Sequence, residues 1–487
     1  MTAETAGTAL WRSGTVVFRR LRSHAVRRLS WGVADQAMSS LTNFAVSIYV
    51  ARTLGAENFG AFSLAYVTYA FALNASRGLS TDPLMVRFSG TDVPTWRRAV
   101  ASCTGTAAIV GLIIGVFVLA VAAVIGGTTR EAFLALGITL PGLMLQDSWR
   151  YSFFALGRGG QAFLNDTIWA MALLPALALL RPTGHANVFW FVLAWGAAAA
   201  VAAAVGPLQA RVRPKLSGAW GWVSDHRDLG PRYLAEGVTS ASMLQFRGYG
   251  VGLVLGLAAV GYVQAAATLM GPITILFLGM TLVAIPEAAR VLLRAPERLP
   301  LFCILVSAGL SAAALGWGVF LLIAVPKGFG AWLLGSIWRP TYPLVLAQML
   351  FVIGQGVAGG AAVGLHALGS ARRSLRSVVL SSVIFLVCAL AGAVWGGANG
   401  TVRGAAVAAW LGALLVWWQL RAALRESSQV AAGHRIWSGR SAGRHRAAVV
   451  ARSSRPAESG RPGWLSRKTE SLPDGYQERN GNAPHGH

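Results

Sequence analysis

Residues 30–60 read SWGVADQAMSSLTNFAVSIYVARTLGAENFG, a mostly apolar stretch that ends in a glycine-containing turn. Up to about residue 53 the stretch is long enough to cross the hydrocarbon core of a bilayer as a helix. Several of its polar side chains follow the i, i+4, i+7, i+8 spacing of one helix face: Asp35, Ser39, Thr42 and Asn43. A polar face on an apolar span must meet another polar face or a water-filled cavity. The stretch therefore predicts a membrane helix that lines the interior of a bundle.

Spans of the same kind recur along the 487-residue chain, in which 55% of the residues are hydrophobic and only 12% are charged. A soluble protein carries about twice that charged fraction, so lipid is the expected solvent for most of this chain. The sequence predicts an all-α polytopic membrane protein with about twelve transmembrane helices. We place them at about 30–53, 58–78, 99–125, 132–154, 162–180, 187–209, 233–256, 261–285, 301–324, 342–367, 376–396 and 401–424.

The distribution of arginine and lysine predicts the orientation of these spans. Of the 42 cations, 35 fall on the side of the N-terminus and six on the opposite side, alternating loop by loop, while Arg247 falls inside a span. By the positive-inside rule, both termini are cytoplasmic and the chain is a multi-pass protein of the cell membrane. We therefore interpret the net charge of +24 as a topology signal and as contact with anionic lipids. Nucleic acid is not an expected partner.

Two matches of the chain with itself predict an internal repeat. At a shift of 201 residues, LGAENFG at 54–60 falls on LGLAAVG at 255–261; at a shift of 212, ALG at 155–157 falls on ALG at 367–369. A shift of six spans preserves orientation, so we expect two pseudo-symmetric six-helix bundles that rock about a shared cavity. The predicted organisation is a basic cytoplasmic N-terminus (1–29), a first bundle (30–209), a cytoplasmic linker (210–232), a second bundle (233–424) and a disordered basic cytoplasmic tail (425–487).

Ionisable side chains inside spans cost about 2.5–3.5 kcal/mol to insert, so each one needs a physical reason. Asp35 and its counterpart Glu236 are expected near the cytoplasmic mouth of the cavity. The alternative for these carboxylates is hydration at the interface, or pairing with Arg27, Arg28 or Arg232. Arg247 lies about fourteen residues into its span, too deep to reach the interface comfortably, so we expect it to meet an internal anion or an anionic ligand. The candidate substrate-binding residues are Arg247, Asp35, Glu236, Asn43 and Gln245.

A second polar group lies where the fourth span ends and the fifth begins. Asp147 and Arg150 stand at i, i+3 and can pair on one helix face, and Asp166 opens the fifth span. We interpret these three residues as a structural or gating group that holds the fourth span to the fifth.

The sequence offers no sign of an enzyme. The three cysteines and eight histidines are scattered, so neither a disulfide framework nor a metal site is expected. No extramembrane stretch is long enough to fold a catalytic domain, and no phosphate-binding glycine loop occurs. We therefore assign no catalytic residues and expect no cofactor except a coupling ion, H⁺ or Na⁺.

Three short segments resemble a known family. LGAENFGAF at 54–62 is similar to the junction after the first span of polysaccharide-type flippases, which belong to the multidrug/oligosaccharidyl-lipid/polysaccharide exporter superfamily. LGSIWRPTYPL at 334–344 resembles the family's loop before the tenth span, and ALGR at 155–158 its turn after the fourth. The resemblance covers roughly residues 30–424. It implies a MATE-like fold that moves a polyprenyl-diphosphate-linked oligosaccharide across the cytoplasmic membrane for cell-surface polysaccharide synthesis.

Two other functions stay open on the sequence alone. An ion-coupled exporter of small molecules would share the fold and use a carboxylate such as Asp35 or Glu236. A membrane scaffold without transport would recruit glycosyltransferases or a polymerase of the same pathway. The cavity discriminates between the two kinds of transporter: it should be wide and cationic for a lipid-linked glycan, and compact and acidic for a drug.

Overall fold

The computed structural model describes the backbone of residues 3–324 and 327–453, and within these ranges every regular element is a helix. Side chains are described in the same ranges except at 3–30, 32–33, 236–244, 278, 281–282, 324, 327, 329, 371 and 427–453. Of the described residues, those up to Arg425 form one compact unit, and those from Glu426 onward belong to a second. The all-α fold predicted from the sequence is confirmed.

The first half of the chain begins with a helix that contains two spans. Inside this helix, α1, the backbone leaves helical geometry at Gly55, with φ 78° and ψ 176°. The two arms on either side of Gly55 correspond to the predicted spans 30–53 and 58–78. The helices of this half are α1 (Ala3–Leu79), α2 (Thr81–Phe88), α3 (Val93–Val124), α4 (Gly127–Ala155), α5 (Gly159–Leu180) and α6 (Val188–Ala210).

The second half follows a linker that contains the short helix α7 (Ala219–Asp225). Its last helix, α14, also holds two spans, because the backbone breaks at Gly396 and Gly397. The helices of this half are α8 (Gly230–Leu255), α9 (Leu257–Leu269), α10 (Gly271–Arg294), α11 (Leu299–Val319), α12 (Lys327–Leu334), α13 (Trp338–Ala367) and α14 (Ala371–Ser453).

Six of the described helices are long and apolar enough to cross a membrane, and a bent pair of helices makes a seventh candidate. That pair is the predicted eighth span, 261–285, where α9 and the first part of α10 meet at 53°. The bend lies at Met270, just before Pro272, which lacks the backbone N–H that a continuous helix would use.

The helices at the two ends of the chain extend beyond the predicted spans. α1 starts at Ala3, within the predicted N-terminal segment 1–29, and α14 continues to Ser453, into the predicted disordered tail 425–487. The rest of that tail, 454–487, lies outside the described residues.

The internal repeat has a counterpart in the backbone. Gly55 and Gly256, which are 201 residues apart, share nearly the same unusual conformation, with φ 78° and 80° and ψ 176° and 174°. Gly157 and Gly369, which are 212 residues apart, also share a positive φ, at 73° and 64°. Only glycine adopts such values readily, so each pair marks the same turn in the two halves.

The two halves touch through backbone at a matching pair of positions. A Cβ atom on Gly60 would lie 1.9 Å from the carbonyl oxygen of Leu257, and a Cβ on Gly261 would lie 2.3 Å from that of Ala56. Gly261 is the repeat counterpart of Gly60, and Ala56 is that of Leu257, because each pair is 201 residues apart. The two contacts are therefore equivalent under the repeat. The second arm of α1 and helix α9 therefore cross at a point where neither helix has room for a side chain.

This crossing predicts the effect of a single added methyl group. Replacing Gly60 by Ala should lower the thermal stability of the purified protein, because the new Cβ would overlap with a backbone atom that cannot rotate away. Gly309→Ala is the matched control, since nothing lies within 4 Å of its Cβ position. It should be neutral or slightly stabilising, by up to about 1 kcal/mol. Equal melting temperatures for the two variants would contradict the close crossing.

Candidate functional site

A buried ion pair joins the second arm of α1 to α4. Arg77 donates from Nε to Asp147 Oδ2 at 2.8 Å and from Nη2 to Asp147 Oδ1 at 2.7 Å. The carboxylate side chain is only 4% exposed. A two-pronged pair of this kind matches the planar guanidinium to the carboxylate and fixes both side chains. Arg77 also lies over the ring of Tyr151, 4.7 Å from its centroid.

Arg150 makes a second set of ionic contacts beside the first. Its Nη2 donates to Asp35 Oδ2 at 2.5 Å, and its Nε lies 3.0 Å from Asp166 Oδ1. The i, i+3 contact predicted for Asp147 and Arg150 is the longest in the network, at 3.6 Å. The main partner of Asp147 is Arg77, and Arg150 ties α4 to α5 and to the first arm of α1. The predicted pair of Asp147 and Arg150 is thus present, with Arg77 as the closer partner of Asp147.

Amide side chains extend the network into α6. Gln146 donates to Asp166 Oδ1 at 2.9 Å, and Asn165 donates to Gln209 Oε1 at 2.9 Å and to the carbonyl of Ala202. Each of these amides has a second hydrogen-bond partner, so its position beside the buried carboxylates is fixed. Four helices of the first half are thereby joined through polar side chains.

The network holds more negative than positive charge. Its three carboxylates and two guanidiniums leave a formal excess of one negative charge, and two carboxylate oxygens, Asp35 Oδ1 and Asp166 Oδ2, are buried with no hydrogen-bond partner among the described side chains. A surplus charge away from water is costly unless a proton or a cation balances it. The site therefore has the chemistry of a cation-responsive group.

A polar cavity of about 200 Å³ opens beside this network. Gln36, Ser39 and Asn43 from the first arm of α1 line it, which is the polar face that the sequence predicts. Arg77, Arg150 and Asp166 contribute its charged walls. Asp35 lies at the same helix face but is only 1% exposed. Its described partner is Arg150, and the side chains of Arg27 and Arg28 fall outside the described residues.

Sequence reasoning missed Arg77, which it counted among the loop cations together with Arg150. Both are helix residues that neutralise buried carboxylates. Their positions therefore do not indicate which side of the membrane a loop occupies. A signal was present: Tyr66, Tyr69 and Arg77 recur at i, i+3 and i+11 on one helix face and all line the cavity. The mistake arose because Arg77 lies in the last turn of its span, where a cation is also typical of a helix end.

Arg247 lies apart from this network, in the second half. The residue is only 8% exposed, and its guanidinium lies over the ring of Phe385, 5.3 Å from the centroid. Within the part of the chain whose side chains are described, no carboxylate pairs with it. Gln245 is half-buried two residues away, and the side chain of Glu236 falls outside the described residues. The structure therefore does not bring Asp35 and Asn43 together with Arg247.

Comparison with known proteins shows the fold. No protein-family model and no curated protein matches the chain. The inward-facing structure of a multidrug resistance MATE family transporter of the MOP superfamily aligns with 80% of this chain and 96% of its own, at 15% identity and a TM-score of 0.64. An outward-facing structure of such a transporter aligns with 83% and 96%, at 15% identity and 0.53. The lipid II flippase MurJ, in an inward closed conformation, aligns with 81% and 87%, at 11% identity and 0.62. This chain therefore has the MATE-like fold that the sequence resemblance implies.

The ion pair of Arg77 and Asp147 predicts a strong effect on stability. Asp147→Asn should destabilise the protein by about 1–3 kcal/mol, because Arg77 loses the carboxylate to which it donates two hydrogen bonds. Asp228→Asn, in the exposed pair with Arg87, is the control and should cost at most about 1 kcal/mol. The double variant Arg77→Met/Asp147→Leu should recover most of the loss. Thermal unfolding in detergent measures all three, and a single variant at Asp147 as stable as that at Asp228 would show that the pair is dispensable.

Proposed function

We propose that this chain is a membrane transporter that flips a polyprenyl-diphosphate-linked oligosaccharide across the cytoplasmic membrane by alternating access. The observation that carries the proposal is Arg247, a buried cation with no carboxylate partner among the described side chains. A cation in that position is costly unless an anion joins it. The MATE-like fold supports transport, and the chain's partners in this proposal are the lipid-linked glycan, anionic lipids and enzymes of glycan assembly.

The chemistry of Arg247 suits a diphosphate. A guanidinium stays charged at any physiological pH and offers a planar set of donors that matches phosphate oxygens. The contact with the Phe385 ring, at 5.3 Å from the guanidinium carbon to the ring centroid, uses the positive charge of Arg247 and leaves its N–H groups available to a ligand. Arg247 would thus bind the charged linkage between lipid and sugar, which every substrate of this class shares.

The ionic network of the first half supplies a proposed coupling site. Its excess negative charge and the two unpaired oxygens of Asp35 and Asp166 favour uptake of one proton or one Na⁺. The bound cation would neutralise the interior of the first half, and its release would restore the charge. No further cofactor is part of the proposal.

One observation favours a second candidate function. The first-half cavity is compact, at about 200 Å³, and has a negative excess, which suits a small cationic molecule. An ion-coupled exporter would use this cavity and would have no need for Arg247. Transport of a cationic dye that Arg247→Gln leaves unchanged would support this candidate over the flippase.

The flippase proposal predicts an ordered series of effects at Arg247. In proteoliposomes that contain a polyprenyl-diphosphate-linked oligosaccharide, Arg247→Lys should reduce the rate of flipping, because charge remains but the planar donor set is lost. Arg247→Ala should abolish flipping while the protein still inserts. Arg403→Gln, which removes one exposed arginine from α14, should flip at the wild-type rate. Wild-type flipping by Arg247→Gln would remove this residue from the substrate site.

The coupling proposal predicts a different effect at Asp166. Asp166→Asn balances the remaining two carboxylates against two guanidiniums, so transport should lose its response to an imposed proton or Na⁺ gradient while downhill movement persists. Proteoliposomes with each gradient applied separately identify the ion. Asp228→Asn, a surface carboxylate, serves as the control. A gradient response equal to that of the wild type would place coupling elsewhere in the protein.

A further inference from the structure

The two halves differ most at the positions that build the ionic network. The shift of 212 residues that aligns Gly157 with Gly369 also aligns α4 with α13, and α5 with the first arm of α14. Four residues that line the first-half cavity, Gln146, Arg150, Asp166 and Trp169, correspond to Ala358, Ala362, Val378 and Ser381. Every charged or bulky side chain in this set is replaced by a small or neutral one in the second half.

The replacements leave a larger cavity in the second half. It has a volume of about 300 Å³, and its described lining comes from α13 and the two arms of α14. All four replacement residues lie on its wall, so the cavity corresponds in position to the part of the first-half network on α4 and α5. Among its described lining side chains there is no Asp, Glu, Lys or Arg, and the polar ones are Ser374, Ser377, Ser381, Ser382, Gln355 and His366.

The hydroxyls of this cavity are only partly satisfied within the protein. Ser377 donates to the carbonyl of Arg373 at 2.9 Å, but Ser381 Oγ is buried without a hydrogen-bond partner among the described residues. A buried hydroxyl without a hydrogen bond costs about 1–3 kcal/mol. Rotation about the Cα–Cβ bond of Ser381, which has three staggered positions, can direct this hydroxyl into the cavity, where a ligand oxygen would pair with it.

An aromatic wall connects the cavity to Arg247. Phe351 and Phe385 line one end of the cavity, with ring centroids 5.6 Å apart, and the guanidinium of Arg247 lies over the same Phe385 ring. Ser374 and Phe385 are eleven residues apart on one helix, so the cavity extends about 16 Å from that ring. A ligand whose anionic group is at Arg247 can therefore place an adjoining uncharged group in the cavity.

We propose that this cavity binds the first sugar units of the substrate, next to the diphosphate held by Arg247. The inference rests on the proposed function and adds to it a subsite for an uncharged, hydroxyl-rich ligand. Hydroxyl and amide groups match the donors and acceptors of a sugar, and aromatic rings suit its apolar face. The described lining has no carboxylate to attract a cation, and its serines would leave polar groups unsatisfied against a hydrocarbon chain.

The test compares binding of two lipids by the full-length protein in nanodiscs: polyprenyl diphosphate, and the same lipid with its oligosaccharide. The wild type should bind the sugar-bearing lipid more tightly. Ser381→Phe, which fills the cavity, should raise the Kd of the sugar-bearing lipid about tenfold or more and leave that of the sugar-free lipid unchanged. Val383→Phe adds comparable bulk to the exposed side of the same helix and should change neither value.

A second variant removes hydroxyls without adding bulk. Ser381→Ala/Ser382→Ala should raise the Kd of the sugar-bearing lipid by about threefold to tenfold, as expected for lost neutral hydrogen bonds, and spare the sugar-free lipid. Arg247→Gln should weaken both lipids. Equal effects of the serine variants on both lipids, or none on either, would overturn the sugar subsite while leaving the flippase intact. A wild-type protein that binds neither lipid and flips no glycan would instead overturn the proposed function.

Discussion

The close approach of backbone to backbone at Gly60 and Gly261 is the contact on which the arrangement of the two halves depends. Lipid provides no hydrophobic force between membrane helices, so helices associate where small residues let their backbones meet. At this crossing a carbonyl oxygen of each half occupies the place where the other half would carry a Cβ. Such a contact has little tolerance for intermediate distances, and it favours two discrete arrangements of the halves over a continuous range.

Close backbone contacts at glycines also hold each half together. Gly111 and Gly115 bring α3 against α4, and Gly356 and Gly360 bring α13 against α11, each with backbone atoms closer than a side chain would allow. These pairs make each bundle a stiff body, while the interior of each bundle is free to differ. The first half fills its interior with ion pairs and amides, and the second leaves a neutral cavity beside a single stacked arginine. The two halves therefore share a backbone arrangement but differ in the polar side chains of their interiors.

The sequence predicted what depends on local pattern and failed where tertiary partners decide. Span positions, the polar face that contains Ser39 and Asn43, and the repeat with its glycine turns all follow from spacing and were visible without coordinates. The partner of Asp147 could not be predicted, because Arg77 is seventy residues away in the sequence. Its position at a helix end is also equally typical of a topology signal. The cavity around Ser381 also required the structure, since it depends on how neighbouring helices pack.

The contact between the second arm of α1 and α8 connects the ionic network of the first half to the surroundings of Arg247 in the second half. Arg77 lies at one end of that arm and Gly60 near the other, so a change of charge in the network acts on the same rigid segment that carries the crossing between the halves. Midway, the hydroxyls of Thr68 and Tyr249 lie 2.7 Å apart. Thr68 donates its proton to the carbonyl of Leu64, so Tyr249 must be the donor to Thr68.

Tyr249 stands two residues from Arg247 on α8, which places the proposed coupling group and the proposed anion site at the two ends of one short chain of contacts. Coupling requires an element with two arrangements that both sites bias. In the proposed mechanism the second arm of α1 is that element. It is the only helix segment in the described part of the chain that carries an ionic network residue, a hydrogen bond to α8 and the glycine crossing at once.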